Sequence, residues 1–298
     1  MQAQTCCSAG VPISTFMEIA SSEKNSFSIQ LNHEYRSINW LVDNNTRLEN
    51  DPRSRYGQNT SLKFDYSLNS KWAFSALIPF VHHSRNTTSE SQNSFGLGDL
   101  GLLMQYNVLS KSLYSLNVVA GIDLPIGNTS HRGSSQILLS PDMQSGSGSM
   151  DFLVGTSYAK TDFLLPFLSH FVIANYRWNG TNDSFGSTAN FNGRSFAFGD
   201  EFMVVTGFRY MHTLSAGFLI PDAGVRIRWQ DPNSEQGADA PNSGGRWLSL
   251  PFGLSFVPDK SKSIRLYTEL PIYQNLNGLQ ITTNFTVGIQ FIYTRNRT

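Results

Sequence analysis

The sequence predicts an all-β protein, a closed antiparallel transmembrane β-barrel of about twelve strands, and three observations carry that prediction. Apolar residues recur at every second position through long stretches. In residues 96–109 (GLGDLGLLMQYNVL), Leu100, Leu102, Met104, Tyr106 and Val108 share one face, and Asp99, Gly101, Gln105 and Asn107 share the other, with Leu103 the exception. A period of two belongs to a strand with one oily and one wet face, not to a helix. The connections between such stretches also alternate long and short. Charged residues make up only 15%, against about 25% in an ordinary soluble domain, while Phe reaches 21 and Tyr 11. No run approaches the roughly eighteen apolar residues that a transmembrane helix needs. A net charge of zero offers no basic face to a nucleic acid.

The elements follow in order after a leader of residues 1–24. Phe27, Ile29, Leu31, His33 and Tyr35 alternate with polar residues in the first strand, and a polar stretch, 43–59, follows. Leu62, Phe64, Tyr66 and Leu68 mark the second strand. A tight turn at 69–71 leads to the third, with Trp72, Phe74, Ala76, Ile78 and Phe80. The loop 82–95 precedes the fourth strand, already described. A short turn at 110–112 leads to Leu116, Val118, Ala120, Ile122 and Leu124, and the long Ser/Gly-rich connection 127–148 follows.

Met150, Phe152, Val154, Thr156 and Tyr158 give the sixth strand. An unusually apolar link (Phe163, Leu164, Leu165, Phe167, Leu168) leads to Val172, Ala174, Tyr176 and Trp178. The loop 179–194 separates these from Phe202, Val204, Thr206, Phe208 and Tyr210. In the next strand Phe218 and Ile220 run in one phase and Ala223, Val225, Ile227 and Trp229 in the other, which predicts a β-bulge at Pro221 and Asp222. The loop 230–245, then strands through Leu250 and Leu266, and a last strand from Leu279 to Phe291 complete the set.

The expected domains are an N-terminal periplasmic segment, 1–24, the barrel, 25–293, and a short tail, 294–298. Short periplasmic turns, long extracellular loops and an even strand count are the pattern of bacterial outer-membrane barrels. Closure is required because an open sheet edge in lipid leaves backbone groups unsatisfied. Soluble sandwiches also alternate, but their strands usually run nearer five or six residues. Tyr35, Trp72, Phe80, Tyr106, Tyr158, Trp178, Tyr210 and Trp229 lie near strand ends, as in an interfacial girdle. The start MQAQTCC has no charged and apolar leader, so export implies a signal peptide already removed. Cys6 and Cys7 build neither a disulfide framework nor a zinc site; lipidation of a Cys is the alternative to a plain flexible segment.

Short motifs repeat from hairpin to hairpin. Ile78-Pro79-Phe80, Leu124-Pro125-Ile126, Ile220-Pro221-Asp222 and Leu270-Pro271-Ile272 are expected near the outer ends of ascending strands, and Gly98-Asp99, Met150-Asp151 and Gly199-Asp200 open descending ones. With Gly96-Leu97-Gly98-Asp99 and Leu124-Pro125-Ile126-Gly127, this chain resembles the outer-membrane barrels named for a meta-pathway of phenol degradation, often described as transporters. Cys6-Cys7-Ser8-Ala9-Gly10-Val11-Pro12 is similar to the start of exported barrels of Bacteroidetes. The resemblance implies the barrel fold, an outer-membrane location and transport, without naming a cargo.

If the oily face meets outer-membrane lipid, the wet face lines the lumen. Glu34, Asp65, Asp99, Asp123, Asp151, Glu201 and Glu269 are then expected there, opposite Arg36, Lys63, Arg177, Arg209, Arg226, Arg228 and Arg265. Such a set either neutralises itself as ion pairs that fill the barrel or lines a polar path for a small solute. Twelve strands fall between filled eight-strand barrels and open porins of sixteen or more. Leu77, Leu103, Met203 and Tyr267 would narrow the path. The expected function is passive or facilitated passage of small molecules, with loops 127–148 and 230–245 partly gating it. The alternatives are a closed structural barrel with an envelope protein partner and a lipid hydrolase. Only His82-His83-Ser84-Arg85-Asn86 groups His, Ser and Asn, and triads are defined in space, not by local spacing. No catalytic residue, metal site or cofactor is expected, and no nucleic acid partner.

Overall fold

Alternate residues of a strand point to opposite faces, so a long alternating chain closes on itself with one set of side chains inside and the other outside. The computed structural model describes residues 25–49, 51–190 and 192–296; the expected segment 1–24, with both cysteines, lies outside them. Twelve strands form the barrel: β1 Ser26–Ser37, β2 Ser54–Ser67, β3 Trp72–Asn86, β4 Leu100–Lys111, β5 Tyr114–Leu124 and β6 Asp151–Lys160. They continue as β7 Leu168–Trp178, β8 Glu201–Tyr210, β9 Gly217–Gln230, β10 Gly245–Asp259, β11 Lys262–Leu276 and β12 Phe285–Asn296. Each pairs antiparallel with its chain neighbours, and β1 closes the ring on β12 with Ser26 opposite Asn296 and Ser37 opposite Phe285. Residues 294–296, expected as tail, therefore extend the last strand.

The interior is buried and largely polar, apart from one apolar cluster; the exterior is apolar and exposed. Ser28, Gln30, Asn32 and Glu34 of β1 are buried, whereas Phe27 and Leu31 on the alternate face are about two-fifths exposed, at 39% and 41%. The same inversion runs through Phe74, Met104, Val118, Val154, Leu254, Leu266 and Val287. A surface of this kind is stable only against hydrocarbon. Aromatic rings gather towards both rims of the outer wall, Trp72 beside Tyr106 at 4.6 Å and Tyr176 beside Trp178 at 4.5 Å at opposite ends.

Four sequence expectations are corrected. The stretch 43–59 is not all loop, because β2 begins at Ser54; its inward residues Arg55, Gly57 and Asn59 keep the period, but the outward ones are polar above the lipid. The loop 82–95 is mostly strand: β3 runs to Asn86 and pairs Ser91–Leu97. No register shift occurs at Pro221 and Asp222, and Ile220 simply points inward with Asp222. Pro125 directly follows β5 at its outer end as expected, but Pro79, Pro221 and Pro271 lie within their strands. Pro79 lies mid-strand where the partner of β3 changes register, from Leu77 opposite Gly101 to Phe80 opposite Leu97, and Pro271 adjoins the β10–β11 register shift. A residue without an N–H is tolerated where the ladder is already broken.

The apolar link between β6 and β7 has an account too. Phe163 folds back onto His170 and Phe208 of the outer wall at 5.2 and 5.9 Å. The tight reversal puts Asp162, Leu164 and Phe167 at positive φ, leaving Leu164 outermost.

A candidate lumenal pathway

Loop 127–148 leaves β5 and returns to β6 on one side of the barrel, yet its middle lies against the far wall. It carries a 3-10 turn, Pro141–Met143, whose residues are all buried. The Asp142 carboxylate pairs with the Arg55 guanidinium of β2, which also donates to the Asp142 carbonyl at 2.5 Å, and Arg85 of β3 lies 3.9 Å from the same carboxylate. The Ser94 hydroxyl donates to the Met143 carbonyl at 2.6 Å. The loop thus crosses the long-loop mouth on the inner side.

Its two ends are tied by expected site residues. Asp99 accepts from the Gly127 and Ser147 amides at 3.0 and 2.7 Å, and Asp151 accepts from the Ser149 hydroxyl at 2.8 Å and the Gly180 amide at 2.9 Å. These two carboxylates anchor loops at the rim. The neighbouring loops add cover: Phe185, Phe196 and Phe198 form a buried cluster against Leu138, and Val42, Trp247 and Leu276 form another.

Most of the remaining expected residues are joined in pairs. Lys63 and Asp65 lie 3.0 Å apart, almost fully buried, and Asp65 also accepts from Ser28, Gln30 and Ser75. Arg177 meets Asp123 at 3.2 Å, Arg36 meets Glu34 at 2.9 Å, and Arg228 lies 3.8 Å from Glu201. Arg226 pairs with Glu269. Arg265 meets Asp222 at 2.8 Å. Tyr267 donates towards Glu34 and Asn32, both at 3.1 Å. Arg209 differs: it is exposed at the short-turn mouth, its guanidinium 5.6 Å from the Phe171 ring.

A second wall fills the other half of the lumen. Leu77, Leu103, Val119, Leu153, Met203 and Val205 pack into one buried cluster, with Phe171 and Ile173 against it. Glycine makes room for the larger groups. A Cβ at Gly121 would collide with Leu103, and one at Gly288 with the Tyr267 ring. Between the two walls a cavity of about 390 Å³ lies towards the short-turn end.

Sequence reasoning missed Arg55, Arg85, Asp142 and Asp222. Asp222 was within reach, since counting back by twos from Arg228 and Arg226 lands on it. His82 and His83 part company: the His82 ring meets Tyr56 and Phe95, whereas His83 is buried, with neither ring nitrogen hydrogen-bonded among the described residues. The Ser, His and Asn of that stretch are not joined into a triad. Among the described residues no cluster of ligating side chains could hold a metal ion.

No protein-family model matches this chain, and no curated protein matches it by sequence. Solved structures do. An outer membrane channel from Pseudomonas putida F1 superposes with a TM-score of 0.74 at 14% identity, over 91% of this chain and 96% of that one. The beta domain of the Bordetella autotransporter BrkA gives 0.53 at 11% identity, over 91% and 100%. The translocator domain of the autotransporter NalP from Neisseria meningitidis gives 0.50 at 8%, over 94% and 91%. The likeness is one of fold: a closed antiparallel barrel of twelve strands, whose apolar outer wall is that of a membrane-spanning barrel.

Proposed function

We propose that the protein is an outer-membrane channel giving small molecules passive or facilitated passage, with loop 127–148 as its extracellular constriction. The observation that carries the reading is the loop's position, held across one mouth by Asp142 on Arg55 while a cavity lies towards the other. The paired charges of β1, β2 and β9 to β11 would form the polar side of the route. The Pseudomonas putida barrel is described as an outer membrane channel, which supports the same reading, as does the resemblance of the Pro and Gly-Asp motifs to transporter-type barrels.

A closed structural barrel is the second reading, and the buried Leu77 cluster favours it, because it fills half the lumen. Conductance separates the two. Purified protein in a planar bilayer is expected to give steady ohmic steps, and replacing Arg226, Arg228 and Arg265 by Gln is expected to shift ion selectivity towards cations. No conductance from correctly folded, heat-modifiable protein would leave the structural barrel.

A further inference from the structure

The cavity between the two walls has a charge balance that selects a ligand. Six charged side chains line it, three carboxylates and three guanidinium groups: Glu34, Asp222 and Glu269, and Arg209, Arg226 and Arg265. Arg226 is met by Glu269, Arg265 by Asp222, and Glu34 by Arg36 just outside the lining. Arg209 has no carboxylate within ion-pair distance among the described residues, and its only described contact of this kind is with the Phe171 ring. The unmatched charge of the cavity is one positive charge.

Across from the paired charges stand Phe171, Ile173, Met203 and Val205 of β7 and β8, and Ile220 and Val257 continue the apolar surface beside Asp222 on β9 and β10. Ile220 belongs to it because β9 keeps its register through Pro221 and turns this side chain inward. A volume of about 390 Å³ is in the range of small-molecule sites, typically some hundreds of Å³. A guanidinium takes a carboxylate through two parallel N–H bonds. Its partner ring and the aliphatic wall favour an uncharged, apolar body.

We infer that this cavity is a binding site for small amphipathic monocarboxylates, acids with one carboxylate on a single ring or a short hydrocarbon chain. Arg209 holds the carboxylate and the Phe171–Val205 wall holds the body. A dicarboxylate is disfavoured, because its second charge meets Asp222 and Glu269 with their cations already engaged. The inference rests on the channel reading in one respect only, that the bound acid is also the cargo.

The test is equilibrium binding of labelled benzoate to the full-length protein in lipid nanodiscs, with benzyl alcohol and succinate as competitors. Saturable benzoate binding is expected, with benzyl alcohol and succinate each about tenfold weaker, the factor that 1.4 kcal/mol represents. Arg209→Gln should weaken benzoate by about the same factor. Arg209→Lys should weaken it less, because the charge remains, and Phe171→Ala should weaken benzoate and benzyl alcohol together. Equal binding of benzoate and benzyl alcohol, or an unchanged Arg209→Gln protein, overturns the site. KCl conductance on the same preparation keeps the two claims apart. Conductance without benzoate discrimination sinks the site alone, and benzoate binding without conductance sinks the passage alone.

Discussion

The two halves of the lumen are filled by opposite means. From β3 to β8 the middle of the inner wall is apolar, with Leu77, Leu103, Val119, Leu153, Met203 and Val205 in one buried cluster, and charges such as the Arg177–Asp123 pair lie nearer the long-loop end. From β9 round to β2 it is built of pairs: Arg226 with Glu269, Arg265 with Asp222, Lys63 with Asp65. The apolar half excludes water and gains from dispersion and burial. The polar half holds its charges only because each is answered, since a buried charge left alone is expensive. A hydrated solute therefore has one side of the barrel open to it, and an amphipathic one has the seam. The cavity lies on that seam.

The contact that locks the seam from above is expected to give the largest effect. Arg55 and Asp142 are buried to within a few per cent. Removing one partner of such a pair typically costs about 3–5 kcal/mol, because the other charge is stranded. Asp142→Ala should release loop 127–148, increase single-channel conductance severalfold and expose the loop to protease while the barrel stays heat-modifiable. The Arg55→Ala, Asp142→Ala double variant should recover part of the lost stability, since the fully buried Arg55 charge is then gone and Arg85, less deeply buried, keeps its hydrogen bonds to Gln92. Unchanged conductance and an uncut loop in Asp142→Ala would mean that the pair does not hold the constriction.

The halves themselves differ next. Leu77 is fully buried. Truncating such a side chain to Ala costs about 2–5 kcal/mol, through lost transfer energy and the cavity left behind. Replacing Arg226 and Glu269 together by Gln removes a partly exposed pair and should cost no more than about 1 kcal/mol. Urea unfolding from lipid vesicles, followed by the gel shift of heat-modifiable protein, measures both. If the Gln pair proved as costly as Leu77→Ala, the polar half would be structural in the same degree as the apolar half, and the comparison would fail.

How much of this was legible follows from the same physics. Lipid demands an apolar residue at nearly every second position, so the strands and their closure could be read directly from Leu100–Val108 and its repeats. Leu77, Leu103, Met203 and Tyr267 could also be read, as inward positions that break the polar alternation. The pairing of Arg55 with Asp142 could not, because it joins residues 87 apart and depends on how a Ser/Gly-rich loop folds across the mouth. Arg55 itself was hidden because β2 rises above the lipid, where the outward positions no longer need to be apolar. Ile220 misled for the converse reason: an apolar residue facing an apolar cavity looks like a change of phase.

The smallest effect belongs to pH, and it tests the same loop from within. His131 lies in loop 127–148, its amide donating to the Gln144 side-chain oxygen at 2.8 Å and its ring 3.1 Å from the Ser145 hydroxyl. Burial holds the ring below its ordinary value of 6.5. A released loop therefore takes up a proton near pH 6.5 that the docked loop does not. The docked state keeps its full stability above that pH and loses it progressively as pH falls towards the depressed value. Open probability should rise on acidification from pH 8 to pH 5. The change should stay below about tenfold, because water screens a half-exposed ring. In His131→Gln the other titrating groups remain, so the difference between the two curves isolates this ring. An identical pH profile in the variant would remove His131 from the device and leave Asp142 and Arg55 as the contact that sets the loop.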